Sequence, residues 1–355
     1  MKDSGGRPLS PGQIFRRRFA RHRLAVWGLW VLAVFYLIAL FADVIAPHHY
    51  ESQNRDRFFH PPTAVGFRGI SPVVHHYRVG EAAYAYTKDL EKVAPLQLLV
   101  VGDEYRFLGL FPTKRHLLGS ADPETPFYPL GTDQYGRCVF SRLLYGSRIS
   151  LSIGLVGILI SFSIALIIGG LAGYFGGWVD GVTMRSAEFV MSIPTLYLII
   201  ALRVTFPPEM SSTEVYLRII AILSLVGWAG TARVIRGMGL SLRERQYVLA
   251  ARSLGASSAR VIFRHLLPGT FSYVIIAATL MVPYYILGEV VLSYLAVGIQ
   301  EPQASWGTML VAAQDPEAMR KFPWLLAPGA AIFATVLAFN FVGDGLRDAA
   351  DTRTV

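Results

Sequence analysis

Long apolar runs alternate along the chain with polar stretches. The first run, Leu24 to Ala46, is interrupted only by Asp43. A helix needs about 20 mostly apolar residues to cross the hydrocarbon core of a bilayer. Five further runs of comparable length lie at 150–175, 184–206, 215–238, 271–298 and 325–343. The pattern predicts six transmembrane helices. Between the first two runs lies a polar segment, 47–147, rich in Pro, His and Tyr. It contains two short apolar stretches, Leu96–Val101 and Phe107–Phe111, each far too short to span. Bounded by polar residues and Gly or Pro, they read as buried strands. The expected fold is an all-α membrane protein of six transmembrane helices, with a small extracytoplasmic domain of partly β structure between helices one and two. The expected division is a basic tail 1–23, a first transmembrane helix 24–46, an extracytoplasmic domain 47–147, a core of five transmembrane helices 148–344 and a tail 345–355.

Composition agrees with this. The 355 residues are 53% hydrophobic and 16% charged, with a mean hydropathy of +0.43. Soluble domains carry roughly a quarter charged residues, which argues against an ordinary soluble enzyme. The 21 Phe, 17 Tyr and 6 Trp argue against disorder. The net charge is +9, and its distribution gives orientation. Residues 1–23 hold seven Lys/Arg against one Asp, and residues 239–270 hold five Arg against one Glu. Both clusters flank apolar runs, so they read as positive-inside flanks of membrane helices and not as a nucleic-acid surface. The N-terminus and 239–270 are then cytoplasmic, and 47–147, 207–214 and 299–324 lie outside. Six spans bring the C-terminus back to the cytoplasm. The first run exceeds the 7–15-residue core typical of a signal peptide, so it reads as an uncleaved anchor. Cys138 is the sole cysteine, which excludes an internal disulfide and a Cys-based metal cluster.

The segment 239–270 is longer and more patterned than a plain connection needs to be. From Glu244 to Leu254 the spacing suits a helix with Tyr247, Ala250, Ala251 and Leu254 on one face. Gly255 suits a left-handed C-terminal position. A second helix is expected over Ala256–Leu267, with Val261, Ile262, His265 and Leu266 on its apolar face, stopped by Pro268. Two short helices at an angle form a knob suited to a groove in a soluble partner.

The order Ala250-Ala251, three residues, Gly255, nine residues, His265-Leu266-Leu267-Pro268 resembles the EAA loop of ABC importer permeases. Leu249 stands where that loop usually has Glu, and His265 where it has Ile. Further segments are similar to the C-type permease of dipeptide/oligopeptide importers. They are Tyr128–Arg137 with Ser141–Leu151, Glu289 with Leu292–Leu295, Ser305-Trp306-Gly307, and Asn340–Asp348. The resemblance implies a type I ABC importer permease fold. It assigns Ala250, Ala251, Gly255, Ala256, His265, Leu267 and Pro268 to the loop that couples to ATPase subunits. It implies two ATP-binding subunits carrying ATP and Mg, a second homologous permease forming a heterodimer, and an extracytoplasmic solute-binding protein. This chain would itself hold no cofactor and hydrolyse nothing, and it would reside in a bacterial or archaeal cytoplasmic (inner) membrane among lipid. The expected cargo is a di- or oligopeptide, with oligosaccharides or metal chelates as the alternatives within the family. An ATP-independent secondary transporter is the competing class, although no internal repeat is evident. GxxxxGK[ST], GxSxG and HExxH motifs are absent from the sequence, which removes the common ATPase and hydrolase signatures.

Several residues carry expectations of their own. Glu289 falls inside the fifth run, where a carboxylate is costly. It either lines the translocation path, pairs with a partner subunit, or forms a structural hydrogen bond to a Ser or Tyr. Pro283 and Pro194 would kink the fifth and third helices near a pathway or gate. Asp180 and Arg185 read as topology anchors, and Asp344 with Arg347 as an ion pair three residues apart. Trp306 and Trp324 read as interfacial anchors. The six histidines of 47–147 read as surface residues without metal-ligand spacing. Gly154, Gly157, Gly169, Gly170 and Gly173 read as helix-packing positions.

Overall fold

The computed structural model describes residues 10–80, 84–107, 109–120, 122–207 and 210–351. Lys2 and Arg7 of the basic tail lie outside them. The chain opens with α1 (Pro11–Arg21), whose N-terminus is closed by a capping box between Ser10 and Gln13. The first apolar run then forms α2 (Arg23–Leu40) and a short α3 (Ala42–Ile45). The polar segment folds into a four-stranded antiparallel sheet in simple order: β1 (Val65–Arg68), β2 (Ser71–Val79), β3 (Tyr86–Phe107) and β4 (Phe111–Ser120). Strand β3 is 22 residues long and serves two partners. Its first half pairs with β2, with Val74 opposite Ala94. Its second half pairs with β4, with Leu98 opposite Leu118 and Phe107 opposite Phe111.

The expectation for the two short apolar stretches needs correction. Leu96–Val101 is a strand, but Leu98 and Val101 are exposed and only Val100 of that stretch is buried. Phe107–Phe111 spans the hairpin turn, where Leu110 and Phe111 are exposed. The histidines depart in the other direction. His60 and His116 are buried and hydrogen-bond to backbone carbonyls, because each fills a packed site between the sheet and the segments around it.

The remaining helices are α4 (Val139–Phe175), α5 (Gly177–Ser192), α6 (Thr195–Val204), α7 (Ser212–Leu242), α8 (Gln246–Ser253), α9 (Ser258–Val261), α10 (Phe271–Tyr294), α11 (Trp306–Leu310), α12 (Pro316–Lys321) and α13 (Ala327–Ala350). Among the described residues, five helical segments are long and apolar enough to cross a membrane: α2, α4, α7, Ser258–Tyr294 and Pro323–Ala350. The run expected as a single helix at 184–206 is instead a bent pair. It breaks at Ile193-Pro194, and α5 meets α6 at 78°. Ile193 is extended, at φ −89° and ψ 119°, as the residue before a proline tends to be.

The chain separates into two compact units. One comprises Met1–Leu32, Ile153–Gly288 and Thr335–Val355, and the other Ala33–Ser152 and Glu289–Ala334. The first is cored by Ala165, Ala187, Trp228, Ala229, Ala232 and Ile235, joined by Ile262 and Leu267. Its glycines allow close approach. A Cβ on Gly169 would lie 2.5 Å from the Ala232 carbonyl oxygen, and one on Gly173 would lie 2.9 Å from that of Arg236. The second unit packs Val139, Ala318, Phe322 and Leu325 with Phe59, whose ring stacks on Phe322 at 4.2 Å.

Candidate coupling loop and buried acid

The connection from α7 to α10 begins as its spacing predicts. Helix α8 ends in a Schellman turn. The Gly255 N–H donates to the Arg252 carbonyl at 2.9 Å, and the Ala256 N–H donates to the Ala251 carbonyl at 3.0 Å. Gly255 has φ +79°, a conformation that L side chains avoid. Ser257 then caps α9 through the Arg260 N–H. Ala250, Ala251, Gly255 and Ala256 thus belong to one local motif.

The second half differs from the expected helix-and-stop. After α9 the chain makes a π-turn over Ile262–Leu266 and a 3-10 turn over Leu267–Thr270, and it continues into α10 without a break. Pro268 therefore does not end the helix. The Leu267 N–H reaches back to the Ile262 carbonyl. This widened turn carries the chain past a residue that has no N–H to give and whose ring would clash with a regular α-turn.

Burial divides the loop in two. Val248, Val261 and Leu266 are fully buried, with Ile262 and Leu267 close to it. A Cβ on Gly170 would meet Leu267 at 3.0 Å, and one on Gly239 would meet Leu266 at 3.1 Å. The second half of the loop is therefore locked onto α4 and α7. The outward side of α8 and its C-terminal cap carry uncovered apolar residues beside Gln246 and Arg252: Tyr247, Leu249 and Leu254 are exposed, and Leu254 is 89% exposed. His265 is half-buried, with its ring 6.5 Å from that of Tyr247. Nearby, Asp180 accepts from the Arg236 Nε at 2.7 Å and pairs with the same guanidinium a second time, a partner more than 50 residues away that spacing cannot reveal. Arg185 lies 3.5 Å from Glu188 at the surface.

Glu289 on α10 is completely buried. The Ser150 hydroxyl donates to one carboxyl oxygen at 3.1 Å, and the Ser293 hydroxyl donates to the other at 2.7 Å. Each serine oxygen also accepts a backbone N–H, from Trp306 at 3.1 Å and from Ile299 at 3.0 Å respectively. Glu289 therefore ties α4, α10 and the turn before α11 into one network. Trp306 is 2% exposed and donates its indole N–H to the Leu143 carbonyl at 3.1 Å. It is a core residue and not the expected interfacial anchor. Trp324 is half-buried and bonded to the Thr132 carbonyl. Pro283 lies within α10, which continues through it. Pro194 caps α6 at the 78° bend. The expected Asp344–Arg347 pair does not form, and Asp348 lies 3.5 Å from His22 instead.

Sequence reasoning also missed a charge cluster. Glu301 receives Arg137 at 2.6 and 3.0 Å and Arg142 at 3.0 Å, while Asp133 takes the Arg137 Nε at 2.7 Å. Arg142 is 1% exposed. Two cations and two anions in mutual contact satisfy one another, as the burial of Arg137, Arg142 and Asp133 requires, while Glu301 reaches the surface. No local motif links positions some 160 residues apart.

The profile of the family described as "Binding-protein-dependent transport system inner membrane component" matches residues 165–355. That of the "N-terminal TM domain of oligopeptide transport permease C" matches residues 10–62. The dipeptide transport system permease protein DppC of Bacillus subtilis is 42% identical over 68% of this chain and 72% of its own length. The oligopeptide transport system permease protein OppC of the same organism is 38% identical over 67% and 76%. The glutathione transport system permease protein GsiD of Pectobacterium atrosepticum is 38% identical over 63% and 72%. The matched region contains the Gly255 turn, the locked second half of the loop and Glu289 itself, and with those matches the chain belongs to the family of binding-protein-dependent transport system inner membrane components.

Proposed function

We propose that this chain is the membrane-spanning permease subunit of an ATP-driven ABC importer for di- or oligopeptides. The observation that carries the proposal is the loop between α7 and α10. It presents a short helix with uncovered apolar side chains on a base locked into the transmembrane helices. Relatives named for dipeptide, oligopeptide and glutathione transport support the peptide cargo. In this reading two ATP-binding subunits, which carry ATP and Mg, seat the two coupling helices of a heterodimer formed with a second permease. One of those helices is α8. When the ATP-binding subunits close, they push α8. Val261, Ile262, Leu266 and Leu267 pass the push to α7 and, through the unbroken helical run, to α10. The pathway then opens to solute delivered by an extracytoplasmic binding protein. Both termini and the loop 239–270 lie in the cytoplasm, and the segment 47–147 lies outside.

The test is co-expression with the neighbouring genes, purification, and assay of ATPase activity and peptide uptake in liposomes. Two ATP-binding chains and a second permease should co-purify. Gly255→Val should lower the peptide imported per ATP, because φ +79° costs a side chain about 1–2 kcal/mol. Gly255→Asn should couple nearly as well as the native chain. Uptake driven by an ion gradient without ATP would overturn the proposal.

A further inference from the structure

The hairpin formed by the second half of β3 and β4 is fastened to the C-terminal end of the first apolar helix. His116 of β4 is buried, with one ring nitrogen 2.6 Å from the Ala46 carbonyl oxygen and the other 3.0 Å from that of Asp103. Phe41, five residues before Ala46, stacks on Phe107 at the hairpin tip, with centroids 6.1 Å apart and planes at 19°. Five helical residues rise about 7–8 Å. The hairpin therefore runs back along the helix, and its tip lies closer to the bilayer than its base. From Leu24 to Phe41 a helix rises about 26 Å, which puts Phe41 near the far edge of a hydrocarbon core about 30 Å thick.

The surface at that depth is apolar and continuous. Val34, Leu37, Leu40 and Phe41 are exposed on the helix, as lipid-facing residues are. Leu117 of β4 stands over a groove walled by Val34, Leu37 and Phe41. At the tip, Leu110 is 72% exposed and Phe111 is 65% exposed. Arg106 and Arg115 flank this apolar tip. Both are exposed, and neither makes an ion pair among the described residues. An aromatic and aliphatic tip beside unpaired cations matches the interfacial layer, where rings sit at headgroup depth and basic chains reach anionic phosphates.

We propose that Phe107, Leu110 and Phe111 insert into the interfacial layer of the membrane, with Arg106 and Arg115 on anionic lipid headgroups, and so hold the segment 47–147 down on the bilayer. The lipid surface covers what the protein leaves bare. The proposal rests on α2 crossing the membrane and is independent of the cargo.

The experiment uses the assembled transporter in nanodiscs of phosphatidylethanolamine and phosphatidylglycerol. A nitroxide is placed on Leu110→Cys, and its collisions with oxygen and with a water-soluble nickel chelate are compared. Leu37→Cys serves as the in-membrane reference and Ile70→Cys, in a turn and 98% exposed, as the in-water reference. Cys138 is buried, so the unsubstituted protein gives the labelling background. The oxygen-to-nickel collision ratio at Leu110 should exceed that at Ile70 severalfold and approach that at Leu37. A ratio equal to that at Ile70, with Leu37 still reading as lipid, would overturn this proposal and leave the permease assignment intact. Low collision with both reagents would mean that protein covers the tip, and it would overturn the proposal equally. Water-like ratios at both Leu37 and Leu110 would overturn the membrane reading of α2 itself.

Discussion

Two serine hydroxyls receive the carboxyl group of Glu289, and among the described residues no cation pairs with it. Each serine is in turn fixed by a backbone N–H. That is the geometry of a structural brace, whereas a cargo contact would need an open face. A brace and a pathway acid respond differently to substitution. Glu289→Gln keeps one acceptor and the side-chain volume, so ATP-driven uptake should persist. Glu289→Ala leaves both hydroxyls unpaired beside a cavity and should cost about 2–4 kcal/mol, visible as a lower thermal transition of the purified complex. Loss of uptake in a stable Glu289→Gln variant would restore the pathway role. His60 gives a pH prediction at the same scale. Burial pushes its imidazole pKa from 6.5 down to about 4, and a ring nitrogen lies 2.6 Å from the Pro61 carbonyl oxygen. Below pH 6.5 the unfolded chain binds a proton that the folded chain refuses until about pH 4. Stability is therefore full above pH 6.5 and falls as the pH drops toward 4, by roughly 3 kcal/mol in total. Hydrogen exchange of the segment around His60, measured between pH 7.5 and 5, should show this loss, and His60→Gln should abolish most of it.

At the scale of elements, the glycines of α4 decide how closely α7 can pack. Even a methyl group on Gly169 would stand 2.5 Å from a backbone oxygen of α7, and backbone cannot swing aside. Gly169→Ala should destabilise the complex by about 1–3 kcal/mol. Gly181 has nothing within 4 Å of its Cβ position, so Gly181→Ala should be neutral or stabilise the helix by up to about 1 kcal/mol. Thermal shifts of the two purified variants distinguish packing from helix propensity. These glycines were legible in the sequence because small residues clustered in an apolar run have one common use. The Gly255 turn was legible for a similar reason: its geometry is local, set by the residues from Ala251 to Ala256. What escaped sequence reading depends on distant partners. The passage of the helix through Pro268 needs the π-turn, which is held by the burial of Leu266 and Leu267 against α4 and α7. Trp306 falls in the connection between the last two apolar runs and so reads as an interfacial anchor, yet its burial comes from Leu143 and Ser150, some 160 positions away. The apolar stretch Phe107–Phe111 reads as a buried strand from its composition, and only the fold reveals which apolar residues the protein leaves uncovered.

At the scale of the molecule, the contacts near the two ends of the chain constrain the number of membrane crossings. The start of α2 packs against the end of α13 in antiparallel fashion. A Cβ on Gly28 would lie 2.7 Å from the Ala338 oxygen, and one on Gly345 would overlap Ala25. Trp27 meets Phe341 edge-on at 6.3 Å. Just beyond, His22 lies 3.5 Å from Asp348, and the Arg18 guanidinium donates to the Asp351 carbonyl. Residues in direct contact at the ends of two membrane helices share one side of the membrane, which supports an even number of crossings. Five straight spans alone would separate the termini. In the proposed topology the bent pair α5–α6 counts as the sixth crossing, with the 78° bend at Pro194 inside it. The five Arg of the loop 239–270 and the Arg-rich α1 support the proposal that this shared side is the cytoplasm. Green fluorescent protein fused after Asp351 should therefore fluoresce, as should the same protein fused before α1. Alkaline phosphatase inserted in the turn after Arg68 should be active, and after Asp351 it should be inactive. Active phosphatase after Asp351 would require an odd number of crossings, and it would separate His22 from Asp348 by the thickness of the bilayer.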